Sequence, residues 1–190
     1  MEQKSAKKLN LGCGVDIKSG WVNLDSAAIA GVDVVHDIEK LPLPFTDNTF
    51  DEILAQDVLE HIEYISVLKD LHRILKNGGV LTVRTPHFTS KNNFVDPTHK
   101  KLFSVSTWDF FVKSPSLSKH IEKERAYYFD FVFVKKTSCH ITFEKSSRIF
   151  FYNRFAEWFF NLSPQMQLFY ESTGLSRLFP AENIIVELQK

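Results

Sequence analysis

The sequence predicts an α/β protein built on a mostly parallel sheet. Three observations carry that prediction. Between residues 8 and 86, short apolar runs of strand length are interleaved with helical patterning; four of the five runs close on a glycine, an aspartate or a proline; and a G-x-G loop follows the first run. Strands that alternate with helices return to the sheet by right-handed crossovers and pair in parallel. Ligands of such sheets sit beyond the carboxyl ends of the strands. Those ends are here Gly12–Gly14, Asp25, Asp37, Gln56–Asp57 and Thr85–His87, so polar residues fall where a site belongs.

The elements follow in order. KLNLG (8–12) is a short buried strand stopped by glycine, WVNLD (21–25) a second and VDVVHD (32–37) a third, the last two each closing on aspartate. VDIKSG (15–20) is too short for the helix that usually joins strands one and two, which commonly spans ~10 residues or more, so a single turn or loop is expected there. FDEILA (50–55) is a fourth strand, after which Asp57 is placed to cap a helix beginning in VLEHI. In SVLKDLHRILKNGG (66–79), Val67, Leu68, Leu71, Ile74 and Leu75 form one helical face, with Asn77 and Gly78 as its C-terminal stop. VLTVRTP (80–86) is a β-branched fifth strand ended by proline.

After residue 87 the period changes. FVDPTHKKLFSVSTWDFF (94–111) reads as a loop followed by a helix, and YFDFVFVKK (128–136) and HITFEK (140–145) as two strands with Thr137 and Ser138 at the turn. RIFFYNRFAEWFFNL (148–162) is an amphipathic helix, Pro164 opens another helical stretch, and ENIIVEL (182–188) is a last strand. Phe151, Phe155, Trp158, Phe159 and Leu162 share one helical face, read as core or pocket wall; Phe150, Tyr152 and Phe160 widen it, and Arg148 and Arg154 flank it. The excess aromatic surface could also form a homodimer contact or touch a membrane surface.

Composition bounds the function. The chain has 190 residues, 44% of them hydrophobic, and Lys+Arg and Asp+Glu balance at 23 each. That balance, with no basic run, argues against nucleic acid. The 18 phenylalanines crowd into the second half, so the two halves differ in their work. No apolar run approaches the ~20 residues of a membrane span, and MEQKSAKK leads into no apolar signal segment. Cys13 and Cys139 have no metal spacing and read as free thiols of a reducing, cytoplasmic compartment.

Gly12 and Gly14 permit a sharp turn and close approach of a ligand to the main chain. The third glycine of G-x-G-x-x-G is absent, Ile17 standing in its place, which disfavours a dinucleotide that needs pyrophosphate at a helix N-terminus. The series LNLGCG (9–14), the aspartate of VNLD (25), HDIEKLPLPFTDNTFDEILAQDVLEHI (36–62) and RILKNGGVLTVRTPH (73–87) resembles class I S-adenosylmethionine (SAM)-dependent methyltransferases, of the small type grouped as methyltransferase domain 11.

The resemblance covers about the first 90 residues. It implies a Rossmann-like three-layer sandwich with a mostly parallel seven-stranded sheet, a shortened first helix and an aromatic-rich C-terminal elaboration. A single methyltransferase domain over 1–190 is then expected, with 8–90 as cofactor-binding core and 91–190 on the acceptor side. Asn10, Leu11, Gly12, Cys13 and Gly14 would line the methionine end of SAM; Asn10 stands where the family often has an acidic residue and brings no charge. Asp25 would accept from the ribose hydroxyls, Asp37 would contact the adenine amino group, Ile38 would pack on the ring, and Gln56 and Asp57 would lie near the sulfonium. LPLPF (41–45) matches the family as scaffold.

The implied activity is methyl transfer from SAM to a small-molecule or sugar acceptor on oxygen, leaving S-adenosyl-L-homocysteine. A protonated oxygen calls for a base. His99, with Asp96 three residues earlier, is the first candidate and His87 the second, although Asp96-Pro97 is also an ordinary turn start. His61 reads as a structural histidine. A metal site from His87, Asp96 and His99 is conceivable, but the spacing matches no strong motif and no metal is expected. The rival reading is a non-catalytic SAM-binding module acting through a protein partner.

Overall fold

The computed structural model describes residues 6–113, 127–146 and 151–190. Seven strands form one sheet: β1 (Lys8–Leu11), β2 (Val22–Asp25), β3 (Val34–Val35), β4 (Phe50–Gln56), β5 (Leu75–Pro86), β6 (Lys135–Thr142) and β7 (Asn183–Gln189), in the order β3-β2-β1-β4-β5-β7-β6. The first five run parallel and β7 is antiparallel to both its neighbours, so β7 alone opposes the common direction. The alternating burial of β7, with Ile184, Val186 and Leu188 inward, reflects the two-residue period of a half-covered strand.

One apolar core joins both halves of the chain. Leu9, Leu11, Ile53, Leu81 and Val83 from the sheet meet Trp108, Phe111, Phe133 and Val186. A second cluster holds Val105, Ile141, Phe143, Phe160 and Tyr170. The helix α1 (Tyr64–Ile74) presents Val67, Leu68, Leu71 and Ile74 to the core at the spacing read from the sequence. Its Asp70 accepts from the Leu43 amide and holds Arg73, which donates to the carbonyls of Leu43 and Phe45. The LPLPF segment is thereby tied to α1 as scaffold.

The β1–β2 connection contains no helix, as its length demands. Its place is taken by a polar network. Asn10 Nδ2 donates to the Asp16 carbonyl and to Asn23 Oδ1; Asn23 Oδ1 also accepts from the Lys18 amide, and Asp33 accepts from Asn23. Asn10 and Asn23 are both buried, and this pairing is what makes asparagine tolerable inside two core strands.

Four sequence readings are corrected. The segment after Asp57 is only a 3₁₀ turn, Leu59–His61, and α1 begins at Tyr64 with no cap from Asp57, whose backbone bonds across the sheet to the Arg84 carbonyl. Helix α1 ends at Ile74 rather than at Asn77–Gly78, because Leu75 already pairs with Phe50 in β5. The two strands expected around Thr137 and Ser138 are one strand, β6, with a register shift between Lys136 and Ser138. Such an irregularity absorbs an extra residue without reversing the chain. Upstream, Phe133 bridges to Val112 instead of opening a strand.

The fourth correction concerns the aromatic helix. Within the described residues it is α3 (Asn153–Phe160), and its buried side is Asn153, Ala156 and Phe160. Phe159 packs partly buried on the second cluster, as expected, but Phe151, Phe155, Trp158 and Leu162 face outward, Phe155 at 63% and Trp158 at 59% exposure. Periodicity places residues on one face but does not say which way that face turns. Arg148 and Phe150 lie outside the described residues. The helical stretch opened by Pro164 is α4 (Pro164–Ser172), capped by Ser163, and α5 (Leu175–Leu178) follows. The 94–111 segment contains the end of a short helix, α2 (Asn92–Val95), a turn at Asp96, and a 3₁₀ helix over Val105–Phe111 that buries Trp108.

Candidate active site

The glycine loop leaves β1 through two residues that only glycine accommodates well. Gly12 has φ 61°, and a Cβ there would lie 2.5 Å from Val58 Cγ2. Gly14 has φ 48° and nothing within 4 Å of where its Cβ would stand, so the loop borders open space. Asp25, at the end of neighbouring β2, closes the loop: Oδ2 accepts from the Gly14 amide at 2.8 Å and Oδ1 from the Ala27 amide at 2.9 Å. A carboxylate has about four lone-pair positions, so each oxygen keeps capacity toward that space. Leu11 and Cys13 are buried, and burial, followed by the nearby Asp25 charge, pushes the Cys13 thiol up, which leaves it an unreactive filler. Cys139 is pushed up to about 12 by burial.

Asp37 follows β3, itself the neighbour of β2, and the His36 amide donates to the Asp25 carbonyl, so both carboxylates sit on one rim of the sheet. Asp37 Oδ1 accepts from the Glu39 amide at 3.1 Å, an Asx-type turn. Ile38 packs against the core. This rim has the properties that a nucleoside without phosphates requires: glycine backbone open to a ligand, a carboxylate with spare acceptors, and a second carboxylate on the next strand. Gln56 ends β4 and is half-buried. Asp57 holds φ 54° and pairs through both oxygens with Arg84 on β5. A non-glycine residue in that region is uncommon and marks a position fixed by its surroundings.

Beyond the ends of β4 and β5 opens a cavity of about 480 Å³ lined by Asp57, Glu60, His61, Arg84, Asp96 and His99, among others. Asp96 and His99 are brought together, with His99 Nε2 3.8 Å from Asp96 Oδ2. Asp96 Oδ1 also accepts from the Thr98 amide and hydroxyl, which lowers the Asp96 carboxyl below its ordinary value. His87 is not part of this group: it is fully buried, with Nδ1 on Thr89 and Nε2 on Glu171. The trio His87, Asp96 and His99 therefore does not assemble.

Glu60 and His61 join the cavity instead, although His61 reads from the sequence as structural and Glu60 carries no expectation there. Glu60 is buried because Lys100 and Lys101, returning from the 96–99 turn, donate their amides to its carbonyl. Burial pushes its carboxyl up to about 7. His61 stands edge-on to His99, ring centroids 4.6 Å apart. The available signal was an acidic residue among Val58, Leu59 and Ile62 in VLEHI, shortly after a strand end.

Residues 4–83 match the family model for a methyltransferase domain, type 11. An uncharacterized protein of Methanocaldococcus jannaschii is 56% identical over 43 residues, 23% of this chain and 19% of that one. A demethylmenaquinone methyltransferase of Staphylococcus epidermidis is 37% identical over 57 residues, 30% of this chain and 23% of that one. The chain thus spans about a fifth of the length of the curated relatives it matches. Among solved structures, a SAM-dependent methyltransferase from Archaeoglobus fulgidus aligns over 98% of this chain and 87% of its own at TM-score 0.58 and 19% identity. A putative methyltransferase from Bacillus halodurans aligns over 97% and 92% at TM-score 0.57 and 18% identity. Residues 4–83 thus match a methyltransferase-domain family, and the chain as a whole shares the fold of solved SAM-dependent methyltransferases.

Proposed function

We propose that this protein transfers a methyl group from SAM to an oxygen of a small-molecule or sugar acceptor in the cytoplasm. The observation that carries the reading is the cavity beyond β4 and β5, lined by imidazoles and carboxylates and sharing a rim with the glycine loop. When bound, SAM supplies an electrophilic methyl carbon on sulfonium. The chain's residues do the rest. Leu11–Gly14 offer backbone to the methionine portion, with Asn10 holding the loop in shape. Asp25 accepts from the ribose hydroxyls, Asp37 from the adenine amino group, and Ile38 flanks the ring. Gln56 and Asp57 border the passage to the cavity.

With SAM bound, an acceptor oxygen held in line with the methyl carbon would displace the sulfide, and its hydroxyl proton would pass to His99, whose ring Asp96 faces at 3.8 Å. Most of the rate comes from holding oxygen and carbon near ~3–3.5 Å. The test is turnover of SAM with a panel of hydroxyl acceptors, with binding calorimetry against both SAM and NAD. Methylated product and SAM-selective binding are expected; NAD-selective binding or N-methylation alone would overturn the reading.

A second reading, a SAM-binding module that works through a protein partner or a second copy of itself, draws support from the outward aromatic face of α3. Among the described residues no helix is long and apolar enough to cross a membrane. SAM binding without turnover of any acceptor would favour this second reading.

A further inference from the structure

Three side chains of the cavity form a group that proton transfer through His99 and Asp96 leaves unexplained. Glu60 is 1% exposed, lines the cavity, and has no hydrogen-bond partner among the described residues on either carboxylate oxygen. Buried carboxylates without partners are costly and rare. The His99 side chain is 8% exposed, and its Nδ1 is likewise buried and unpartnered. Two ligand-capable side chains, each with buried polar atoms that no hydrogen bond among the described residues satisfies, face one cavity and point to a missing partner that accepts electron pairs.

The third group is His61, whose tautomer follows from its neighbours. Thr98 Oγ1 donates its single proton to Asp96 Oδ1 at 2.6 Å. The same oxygen stands 2.8 Å from His61 Nδ1, so it accepts there, and His61 carries its proton on Nδ1. The Nε2 lone pair of His61 is left free. Metal-ligating histidines are held in just this manner, one ring nitrogen donating to an outer acceptor so that the other can bind. The ligand-capable atoms of Glu60, His61 and His99 lie within 4.8 Å of one another.

We propose that Glu60, His61 and His99 bind one divalent transition-metal cation of the zinc and cobalt class, with its open positions facing the cavity. Two imidazole nitrogens and one carboxylate oxygen are a recurrent donor set of catalytic zinc, leaving a fourth position for water or substrate. A cation about 2.1 Å from each donor requires donors roughly 3–3.5 Å apart, a modest closure by side-chain rotation. Asp96 and Thr98 form the outer support. The consequence for chemistry rests on the methyltransferase reading, while the site itself does not: with the cation bound, a hydroxyl at the open position would be more acidic and would release its proton to water in the open cavity, so His99 would be proton acceptor only in the cation-free protein.

The test uses the full chain, stripped with chelator and titrated with cobalt(II) by visible absorption and with zinc by calorimetry. One equivalent is expected to bind. His61→Ala and His99→Ala should each weaken zinc binding by more than about a hundredfold, and Asp96→Asn by about tenfold. Should the alanine variants fail to fold, Glu60→Gln, nearly isosteric, must show the same loss. No stoichiometric cation, or binding indifferent to these changes, overturns the inference. SAM calorimetry on the same samples separates the two ideas: SAM binding without a cation defeats the metal site alone, and a cation without SAM binding defeats the methyltransferase reading alone.

Discussion

Replacing Asp25 with alanine removes two things at once, and the structure lets them be measured apart. In the free protein the carboxylate accepts from the Gly14 amide at 2.8 Å and the Ala27 amide at 2.9 Å. Hydrogen bonds to a charged acceptor contribute about 1.5–3 kcal/mol each when buried, and less here because Asp25 is half-exposed and water can reach the freed amides. Asp25→Ala should therefore lower the free energy of unfolding by about 1–3 kcal/mol, read from urea melts. On the proposed ribose role of Asp25, SAM affinity should fall in the same variant by a further about 1–3 kcal/mol, or about 5- to 150-fold in Kd, read by calorimetry well below the melting point. Asp25→Asn keeps one carbonyl acceptor and loses the other, so its loop stability and its affinity should fall between those of wild type and alanine. The reasoning is refuted if SAM affinity is unchanged in a folded Asp25→Ala protein, whatever happens to its stability.

Other changes test separate parts of the account. Gly12→Ala forces a left-handed alanine against Val58, which should cost about 1–2 kcal/mol and weaken SAM binding; adding Val58→Ala should relieve the collision but not the backbone strain, so thermal stability recovers only in part. His99→Ala should lower turnover while leaving SAM affinity in place, and equal turnover would leave this histidine structural. Lys136 pairs at 2.6 Å with the fully buried Asp109, so Lys136→Met should destabilise by about 3–5 kcal/mol by leaving an uncompensated charge. His72 lies against Phe131 and Phe133, where burial and then Lys190 lower its pKa below the usual imidazole value. The unfolded chain then binds the proton first, so stability is intact above about pH 6.5 and declines as pH falls below it. His72→Phe should flatten that decline in pH-dependent melts.

The readable parts of the site were those where one residue's backbone demand is local. Gly12 and Gly14 announce left-handed turns, Asp25 ends β2 as expected, and Asp37 follows a third strand that is only Val34–Val35 rather than the expected 32–37. The missing first helix was legible too, because no helix fits in VDIKSG. What replaces it was not. Asn10 and Asn23 pair side by side only once β1 and β2 are in register, Asn10 opposite Asn23, and nothing local announces that register. A polar amide in the middle of each apolar strand was the one available hint.

The cavity was legible on one side only. Asp96 and His99 share a turn, so their proximity is a matter of three residues. Glu60 and His61 reach them across the fold, through the bonds of Lys100 and Lys101 to the Glu60 carbonyl and of Thr98 to His61. His87 was placed correctly at the end of β5 but turns inward to Glu171 on α4, which no pattern near residue 87 reveals. The aromatic helix was read correctly only in part: Phe159 of its stripe packs on the second cluster with Ala156 and Phe160, while Phe151, Phe155, Trp158 and Leu162 are left outside.

The most direct test of the central claim is a crystal structure of the protein grown with S-adenosyl-L-homocysteine. The account predicts adenosine along the β1–β3 rim, its ribose on Asp25 and its adenine beside Asp37 and Ile38, with the sulfur directed into the space bounded by Glu60, His61 and His99. A nucleoside bound elsewhere, or a sulfur aimed away from that cavity, would contradict it.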